Sequence, residues 1–381
     1  MMRRLFIILL CLIGWSCHSV KPFDAGLFSE ELYTPRYATG FSLLSTEQGD
    51  ATLLVVNKPW QGSMGEQRML LIDPEERFGN VSHPSLQRIS GKVERVVCLS
   101  SSYIAMLDAI GEADKVVGVS GKEFIYNEKI SSAEHIGDVG YDSVFNMELL
   151  LSLNPDLVLL YGVSARSILE ERLQQFHIPY IYIGEYLEPS PLGKAEWIVA
   201  IAEIMGVREQ GEACFTHIEE RYNTLCTAVR NYTAEGVSAP RILLNTPYRD
   251  VWYLPAPESY MVQLIEDAGG FAYTEGEAGD TTTPIGIEQA YTYAQEADLW
   301  LNVGGSESLA ELKATNPHFS TTRLVTEQRV YNNTLRRTPS SGSDFWESGV
   351  IQPDVILEDL IRIIHPTLLP TGELYYYKQL K

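Results

Sequence analysis

The segment Met147-Glu-Leu-Leu-Leu-Ser-Leu-Asn-Pro-Asp-Leu-Val-Leu159 predicts the fold of this chain. It contains a short helix, which begins after Asn146 and ends at Asn154-Pro155, and then an apolar strand whose first residue is an aspartate. The same order recurs further along, where Gly286-Ile-Glu288 precedes the strand Asp298-Leu-Trp-Leu-Asn302. A repeated helix–strand unit of this kind predicts two similar α/β lobes.

Strands and helices alternate on both sides of this segment. The predicted apolar strands are Arg95–Leu99, Lys115–Val119, Asp156–Tyr161 and Pro179–Ile183 in the first series, and Arg241–Asn245, Asp298–Asn302 and Val330–Tyr331 in the second. Continuous apolar strands joined through helices are typical of parallel sheets that are covered on both faces. We therefore predict an α/β fold with a first lobe over residues 92–188 and a second over 208–381.

A long helical stretch separates the two series. Pro191 suits the first turn of a helix, and apolar residues such as Trp197 and Ile201 follow at helical spacing. We expect a linking helix over residues 189–207. A further helix is predicted over Glu209–Tyr232, at the start of the second lobe.

The first residues of the chain have a different character. Arg3 and Arg4 precede an unbroken apolar run, Leu5–Ile13, which is too short to span a membrane and is typical of a secretory signal peptide. The following Gly14-Trp-Ser-Cys17 resembles a bacterial lipobox, which predicts cleavage before Cys17 and lipidation of its thiol. An ordinary signal peptide that is cleaved nearby is the alternative.

Three segments are predicted before the first lobe. Residues 1–16 form the signal peptide, and the polar residues 17–36 form a tether from the lipid. Residues 37–91 form a β-rich N-terminal extension, because the β-branched or apolar runs Ala51–Val56 and Arg68–Ile72 are separated by turn residues.

Composition and charge restrict the classes of function. The chain has 381 residues, enough for about two domains, and 45% of them are hydrophobic, as in a globular protein. Its 50 acidic and 29 basic residues give a net charge of −21, which repels nucleic acid. The seven histidines are scattered without metal-ligand spacing, so we predict no resident metal or cofactor.

The sequence is similar to a known family over residues 92–366. The segment Met147–Leu159 resembles the most specific element of the helix-linked periplasmic substrate-binding proteins of ABC importers for siderophore-iron, haem and cobalamin. Val96-Val-Cys-Leu-Ser-Ser-Ser102 resembles the opening of that family, and Asp344-Phe-Trp-Glu-Ser-Gly-Val-Ile-Gln-Pro-Asp354 is similar to the closing segment of lipoprotein iron-complex binders of Bacteroides-like bacteria. The resemblance implies two Rossmann-like lobes with mostly parallel sheets, joined by a long α-helix.

The resemblance also implies partners and a location. A protein of this family is a monomer that binds a small-molecule metal chelate without catalysis and delivers it to an ABC permease dimer with a separate ATPase. The implied location is exported and periplasmic, with the membrane contacted only through the lipid anchor. Glu148 and Glu288 match the family's two docking carboxylates, one on each lobe, which face the permease. Their spacing suits pairing with arginines on the two halves of a dimer.

The ligand of such a protein lies between the lobes, beyond the carboxyl ends of the strands. The loops at these ends carry aromatic side chains suited to a flat macrocycle or a catecholate chelate, and cations suited to an anionic ferric chelate. The expected ligand-binding residues are Ser101, Tyr103, Lys122, Tyr126, Tyr161, Arg166, Tyr248, Arg249, Trp252, Tyr253, Asn332 and Arg336.

The sequence leaves other functions open. The first expected ligand is an iron chelate, either a ferric siderophore or haem, and the second is cobalamin. An exported α/β enzyme such as a chelatase is a more remote alternative, because the chain contains no GxSxG, Walker A or GxGxxG motif at a strand-to-helix turn. A surface adhesion or scaffold lipoprotein is a third class of function, in which residues 37–91 would bind the partner.

Overall fold

A computed structural model describes residues 21–141, 144–163, 167–276, 279 and 281–381. Among these residues, three sheets have five strands each and two have two strands each. One five-stranded sheet belongs to an N-terminal extension, residues 21–91, and each α/β lobe contains one of the others. The predicted α/β fold class, with mostly parallel sheets in two lobes and helices between them, is confirmed.

The N-terminal extension is all β apart from one short turn of 3₁₀ helix. Its strands are β1 (Lys21–Pro22), β2 (Glu30–Tyr33), β3 (Phe41–Ser45), β4 (Thr52–Val56), β5 (Arg68–Ile72), β6 (Val81–Ser82) and β7 (Leu86–Ile89). The main sheet has the order β2-β3-β4-β5-β7. Strand β4 is buried along its whole length, because it lies at the centre of this sheet and both of its faces are covered.

The first lobe is built on a fully parallel sheet. Its strands are β8 (Val96–Cys98), β9 (Val116–Val119), β10 (Gly137–Asp138), β11 (Leu157–Leu160) and β12 (Tyr180–Tyr182), in the order β10-β9-β8-β11-β12. Its helices are α1 (Ser101–Ala109), α2 (Glu128–Ser131), α3 (Met147–Leu153) and α4 (Ile168–Gln175). Strands β8 and β11 are completely buried, as expected for a sheet covered on both faces.

Two helices connect the lobes. Helix α5 (Pro191–Ile204) occupies most of the predicted linker over 189–207, and α6 (Arg208–Thr233) follows after a turn at Gly206. They pack closely where Gly211 faces Ala202, since a Cβ atom on the glycine would come within 2.5 Å of the alanine Cβ. The predicted helical connection between the lobes is therefore present as α5, with α6 packed against it.

The second lobe repeats the plan with an added antiparallel edge. Its strands are β13 (Arg241–Leu244), β14 (Val251–Leu254), β15 (Phe271–Ala272), β16 (Thr283–Gly286), β17 (Leu299–Leu301), β18 (Val330–Asn332) and β19 (Lys378–Gln379). Its helices are α7 (Tyr260–Asp267), α8 (Ile287–Glu296), α9 (Leu309–Thr315), α10 (Arg323–Thr326) and α11 (Pro353–Ile364). The sheet order is β15-β13-β17-β18-β19, and only the β18–β19 pairing in it is antiparallel.

The aspartates that open β11 and β17 explain the repeat seen in the sequence. The Asp156 carboxylate accepts hydrogen bonds from the backbone N–H groups of Glu94 and Arg95, both at 2.9 Å. In the second lobe, Asp298 accepts from the N–H of Arg241 at 2.9 Å. Each aspartate therefore ties the start of one strand to the start of its neighbour, β8 or β13, and sets the register of the central strand pair.

Residues 21–36 do not form the predicted tether. Strand β2 pairs with β3, and the chain that follows it is held by Glu196, a fully buried residue of α5. The Glu196 carboxylate accepts hydrogen bonds from the Tyr33 hydroxyl and from the backbone N–H groups of Arg36, Tyr37 and Ala38, all at 2.7–2.8 Å. This part of the prediction is wrong because the polar stretch supplies donors that a buried carboxylate on the linker requires.

A second buried carboxylate continues this contact. Glu188 accepts from the N–H groups of Thr39 and Gly40 at 2.9 and 2.7 Å, and also from the indole N–H of Trp197 at 3.1 Å. A Cβ atom at Gly40 would lie within 2.9 Å of both the Trp197 ring and the Glu188 carboxylate, so only glycine fits this approach. The extension is thus packed directly onto the connection between the lobes.

None of the helices in the described ranges combines the length and the apolar run that crossing a membrane requires.

Replacing Glu196 with alanine should detach the extension from α5. The change leaves one buried and two partly buried backbone N–H groups without an acceptor, so the free energy of unfolding should fall by about 2 kcal/mol or more. Urea unfolding measures this difference. The control, Glu220→Ala, removes an exposed carboxylate of α6 and should change stability by no more than about 0.5 kcal/mol. Equal stability of the two variants would show that the Glu196 hydrogen bonds do not hold the extension in place.

Candidate ligand crevice

The strand order of each lobe marks where a crevice can open. In the first lobe, β8 has β9 on one side and β11 on the other, so the chain leaves the carboxyl ends of β8 and β11 in opposite directions. The corresponding pair in the second lobe is β13 and β17. Ligands of open α/β sheets bind at such switch points. The candidate crevice is therefore bounded by residues 99–102 and 161–163 of one lobe and by 245–246 and 302–304 of the other.

Two asparagines at the second switch point have strained backbones. Asn245 and Asn302 directly follow β13 and β17, with φ angles of 69° and 59° in the left-handed region. The Asn245 carbonyl accepts from the Trp300 indole at 2.6 Å, and the Asn302 amide oxygen accepts from the Tyr377 hydroxyl at 3.0 Å. Such strain collects at binding sites. Sequence reasoning missed this pair, although its signal was present as an asparagine directly after each apolar strand.

The residues expected at the first switch point divide into exposed and buried ones. Ser101 lies half-buried in the first turn of α1. Tyr161 is 39% exposed, and its ring centroid lies 5.0 Å from that of Tyr186. The expectation for Tyr103 is corrected: its side chain is fully buried, with its hydroxyl 3.0 Å from the carbonyl oxygen of Ile183. Tyr103 supports the ends of β11 and β12 from inside and offers no surface to a ligand in the crevice.

Two expected residues of the second lobe are also core residues. Trp252 is fully buried and donates its indole N–H to the Leu244 carbonyl at 3.1 Å. Asn332 is fully buried as well, and its amide donates to the carbonyls of Gly304 and Ser306 at 2.9 and 2.8 Å. Both expectations are corrected, because these side chains hold the crevice loops from below and leave no surface for a ligand.

Exposed aromatic residues do lie beyond β13. Tyr248 is 65% exposed, and the Arg249 guanidinium lies 5.3 Å from the centre of its ring. Tyr253 is 44% exposed, because it alternates along β14 with the buried Trp252. Both tyrosines belong to the second lobe, the opposite lobe from Tyr161.

Tyr126 and Arg336 join the two lobes. The Arg336 guanidinium carbon lies 4.7 Å from the Tyr126 ring centre and 4.2 Å from that of Tyr375, and its Nε donates to Asp344 at 2.5 Å. Lys122 is engaged too, since its ammonium group donates to backbone carbonyls, including that of Ile136 at 3.1 Å. These three predicted ligand residues therefore bind other parts of the protein in this conformation.

A polar cluster that sequence reasoning missed crosses from one lobe to the other. The buried Glu185 accepts from the Ser102 hydroxyl at 2.6 Å. Lys194 of α5 donates to the carbonyl of Tyr186 at 2.6 Å and lies 5.3 Å from the ring centre of Tyr260 in α7. Burial raises the pKa of Glu185 and lowers that of Lys194 to about 8. A lysine inside a mostly apolar helix was the available signal.

The remaining predicted residues lie outside this crevice or outside the described chain. Glu148 and Glu288 are exposed in the first turns of α3 and α8, where a carboxylate favours the helix dipole. Arg166 and Cys17 are not among the described residues. No three His, Cys, Asp or Glu side chains in the described part of the chain are grouped to hold a metal ion.

Comparison with a family model agrees with this architecture. The model for periplasmic binding proteins matches residues 96–334, which is more than half of the chain and includes both switch points. The chain belongs to the periplasmic binding protein family. Its members bind substrates for ABC transporters and act with separate permease and ATPase components. The two packed helices between the lobes place it in the helix-linked class.

Similar proteins come from bacteria and archaea. An uncharacterized lipoprotein of Methanocaldococcus jannaschii is 25% identical over 303 residues, covering 76% of this chain and 69% of its own length. A periplasmic haem-binding protein from Pseudomonas aeruginosa superposes with a TM-score of 0.57 at 14% identity, covering 76% of this chain and 98% of its own. A molybdate-binding protein of a Haemophilus influenzae ABC transporter gives 0.55 at 15% identity, with 75% and 90% covered. At these identities the solved structures support the fold.

The contact between the lobes also contains a carboxyl group with a shifted pKa. Glu347 of the second lobe accepts from the backbone N–H groups of Tyr126 and Asn127 in the first, at 2.8 and 2.7 Å. Burial raises the pKa of Glu347 to about 7, with Asp344 and Asp108 adding to the shift, although the two N–H groups favour the charged form.

The free energy of unfolding should therefore fall as the pH rises from about 4.5 to 7. Folded Glu347 holds its proton more tightly than the unfolded chain, so its stabilising contribution is complete below about pH 4.5 and is lost as the pH passes 7. Urea unfolding at a series of pH values measures the slope, which should flatten in Glu347→Gln. The control, Glu373→Gln, changes an exposed carboxyl group and should keep the wild-type slope. Identical slopes in the two variants would contradict the assignment.

Proposed function

We propose that this protein captures an iron chelate, haem or a ferric siderophore, between its lobes and delivers it to an ABC permease in the inner membrane. It acts as an exported monomer that is anchored to the membrane through lipid on Cys17. The observation that supports the proposal is the presence of exposed tyrosines on both lobes: Tyr161 on the first, and Tyr248 and Tyr253 on the second.

The chemistry of these residues suits such a ligand. A tyrosine presents a large aromatic face with a polar tip, which matches a planar macrocycle or an aromatic chelate. Arg249, exposed beside Tyr248, adds a positive charge that an anionic chelate would attract. The haem-binding protein of similar fold supports haem as the first ligand to test. Because a protein of similar fold binds molybdate, molybdate is tested as an alternative ligand.

Ligand titration tests the binding function. Haem, several ferric siderophores, cobalamin and molybdate are added to the purified protein while tryptophan fluorescence is recorded. Trp346 is 49% exposed, and its ring centre lies 6.1 Å from that of Tyr260 in the polar cluster. Its fluorescence is therefore expected to change when a ligand binds between the lobes. We expect one iron chelate to bind at one-to-one stoichiometry and to be recovered with unchanged mass. Recovery of a converted ligand would instead indicate an enzyme.

Paired variants show whether the tyrosines make the site. Tyr161→Ala combined with Tyr253→Ala removes one aromatic face from each lobe and should weaken binding at least about tenfold. The control, Tyr291→Ala, removes a tyrosine of α8 that is 36% exposed, and it should leave the affinity unchanged. No chelate binding by the wild-type protein, or preference for molybdate, would overturn the proposed ligand class.

Delivery to a permease depends on the two exposed carboxylates. In cells with the cognate permease, Glu148→Ala combined with Glu288→Ala should abolish uptake and leave ligand affinity intact, because the pairing with permease arginines is lost. The control pair, Glu128→Ala with Glu209→Ala, removes exposed carboxylates from the first turns of two other helices and should have no effect. Normal uptake with the first pair would contradict the docking role.

A further inference from the structure

The loop between β4 and β5 reaches the ligand crevice. We name residues 57–66 the extension loop. The Gln61 backbone N–H donates to the Val163 carbonyl at 3.0 Å, and the Tyr186 hydroxyl donates to the same carbonyl at 3.0 Å. Val163 belongs to the segment 161–163 that follows β11 at the switch point of the first lobe. The N-terminal extension therefore contacts the edge of the crevice as well as the linking helices.

Two glycines make this approach possible. Gly162 and Gly184 follow β11 and β12, and each faces a carbonyl of the extension loop. A Cβ atom at Gly162 would lie 3.0 Å from the Pro59 oxygen, and one at Gly184 would lie 2.6 Å from the Lys58 oxygen. Real Cβ atoms rarely come this close to backbone, so both strand ends accommodate the loop because they carry no side chain.

The loop is held firmly in this position. Trp60 is 5% exposed and packs on Tyr182 of β12 with a ring-centre separation of 5.2 Å, and the Arg68 guanidinium carbon lies 4.8 Å from the centre of the Trp60 ring. Turn hydrogen bonds close the rest of the loop, including the Ser63 N–H to the Trp60 carbonyl at 3.2 Å. A loop held in this way presents its side chains at little entropic cost.

Two exposed side chains of the loop, Gln61 and Met64, are suited to an apolar or aromatic ligand face, and Met64 is 95% exposed. Lys58 and Glu66 are exposed as well, whereas Trp60 and Ser63 are buried as anchors. On the strand ends next to the loop, Tyr161 is 39% exposed and Val163 is 55% exposed. A thioether is polarizable and flexible, so it adapts to the rings of a ligand. The Gln61 amide supplies a donor and an acceptor.

From this geometry we infer that the extension loop forms a wall of the ligand crevice and that Gln61 and Met64 contact the ligand and determine which chelates fit. The inference rests on the proposed function and extends it to a segment that precedes the family's matched region, residues 96–334. The ligand part recognised there is the apolar or aromatic periphery of the chelate, while the tyrosines of both lobes contact its faces. The extension is thus a specificity element of the binding site.

The test compares loop variants with a distant substitution in the same extension. Gln61→Ala combined with Met64→Ala removes the two side chains proposed to contact the ligand. The control, Leu27→Ala, removes an exposed leucine beside the β3–β4 turn, about 17 Å away along β4. Dissociation constants are measured by fluorescence titration with haem, two ferric siderophores and cobalamin, and melting temperatures are recorded in parallel.

We expect the double variant to bind the preferred chelate at least about fivefold more weakly, to change the order of affinities in the panel, and to melt at the wild-type temperature. The control should match the wild type in every respect. Wild-type affinities in the double variant, or equal weakening for every ligand together with a lower melting temperature, would overturn the role in specificity and leave the proposed function intact. Absence of binding by the wild-type protein would overturn both.

Discussion

Helix α5 is the element on which the rest of this structure depends, because three parts of the chain pack around it. It contacts α1 and residues 185–187 of the first lobe, α7, α11 and residues 348–351 of the second, and β3 of the extension. Thirteen of its fourteen residues are buried, which is far more than the single apolar face of an ordinary surface helix. Its buried polar groups are satisfied by these neighbours: Glu196 by the extension, and Lys194 by the carbonyls of Glu185 and Tyr186.

This arrangement connects the extension to the binding site by two routes. At one end, residues 33–40 surround the carboxylates of Glu188 and Glu196, so the extension is attached to the linking helices. At the other end, the extension loop packs against the glycines after β11 and β12, so the extension is also attached to the first lobe. Because its sheet is attached to both the helices and the first lobe, it resists movement of one relative to the other. Any opening of the crevice should therefore displace the second lobe and leave the extension and the first lobe as one wall.

Residue type and loop position did not distinguish the exposed members of the predicted ligand site from the buried ones. Tyr161, Tyr248 and Tyr253 are exposed, whereas Tyr103, Trp252 and Asn332 are buried in the core. Neighbours in sequence can differ completely: Trp252 and Tyr253 are adjacent on β14, and alternation along the strand buries one and exposes the other. Which residue of such a pair faces inward depends on the register with β16, and that register is not readable from the chain alone.

The sequence by itself determined the two-lobed α/β plan, the helices between the lobes and the family. These follow from local patterns, namely apolar strands, helix caps and the matching aspartates before β11 and β17, whose hydrogen bonds join neighbouring strands. Only the tertiary structure decided that residues 21–36 pack onto α5, that Glu185 and Lys194 form a polar cluster between the lobes, and that the extension loop lies at the crevice. Each of these contacts joins residues from different elements, in two cases more than a hundred positions apart in the chain, and such contacts exist only once the lobes and the extension have packed around one helix.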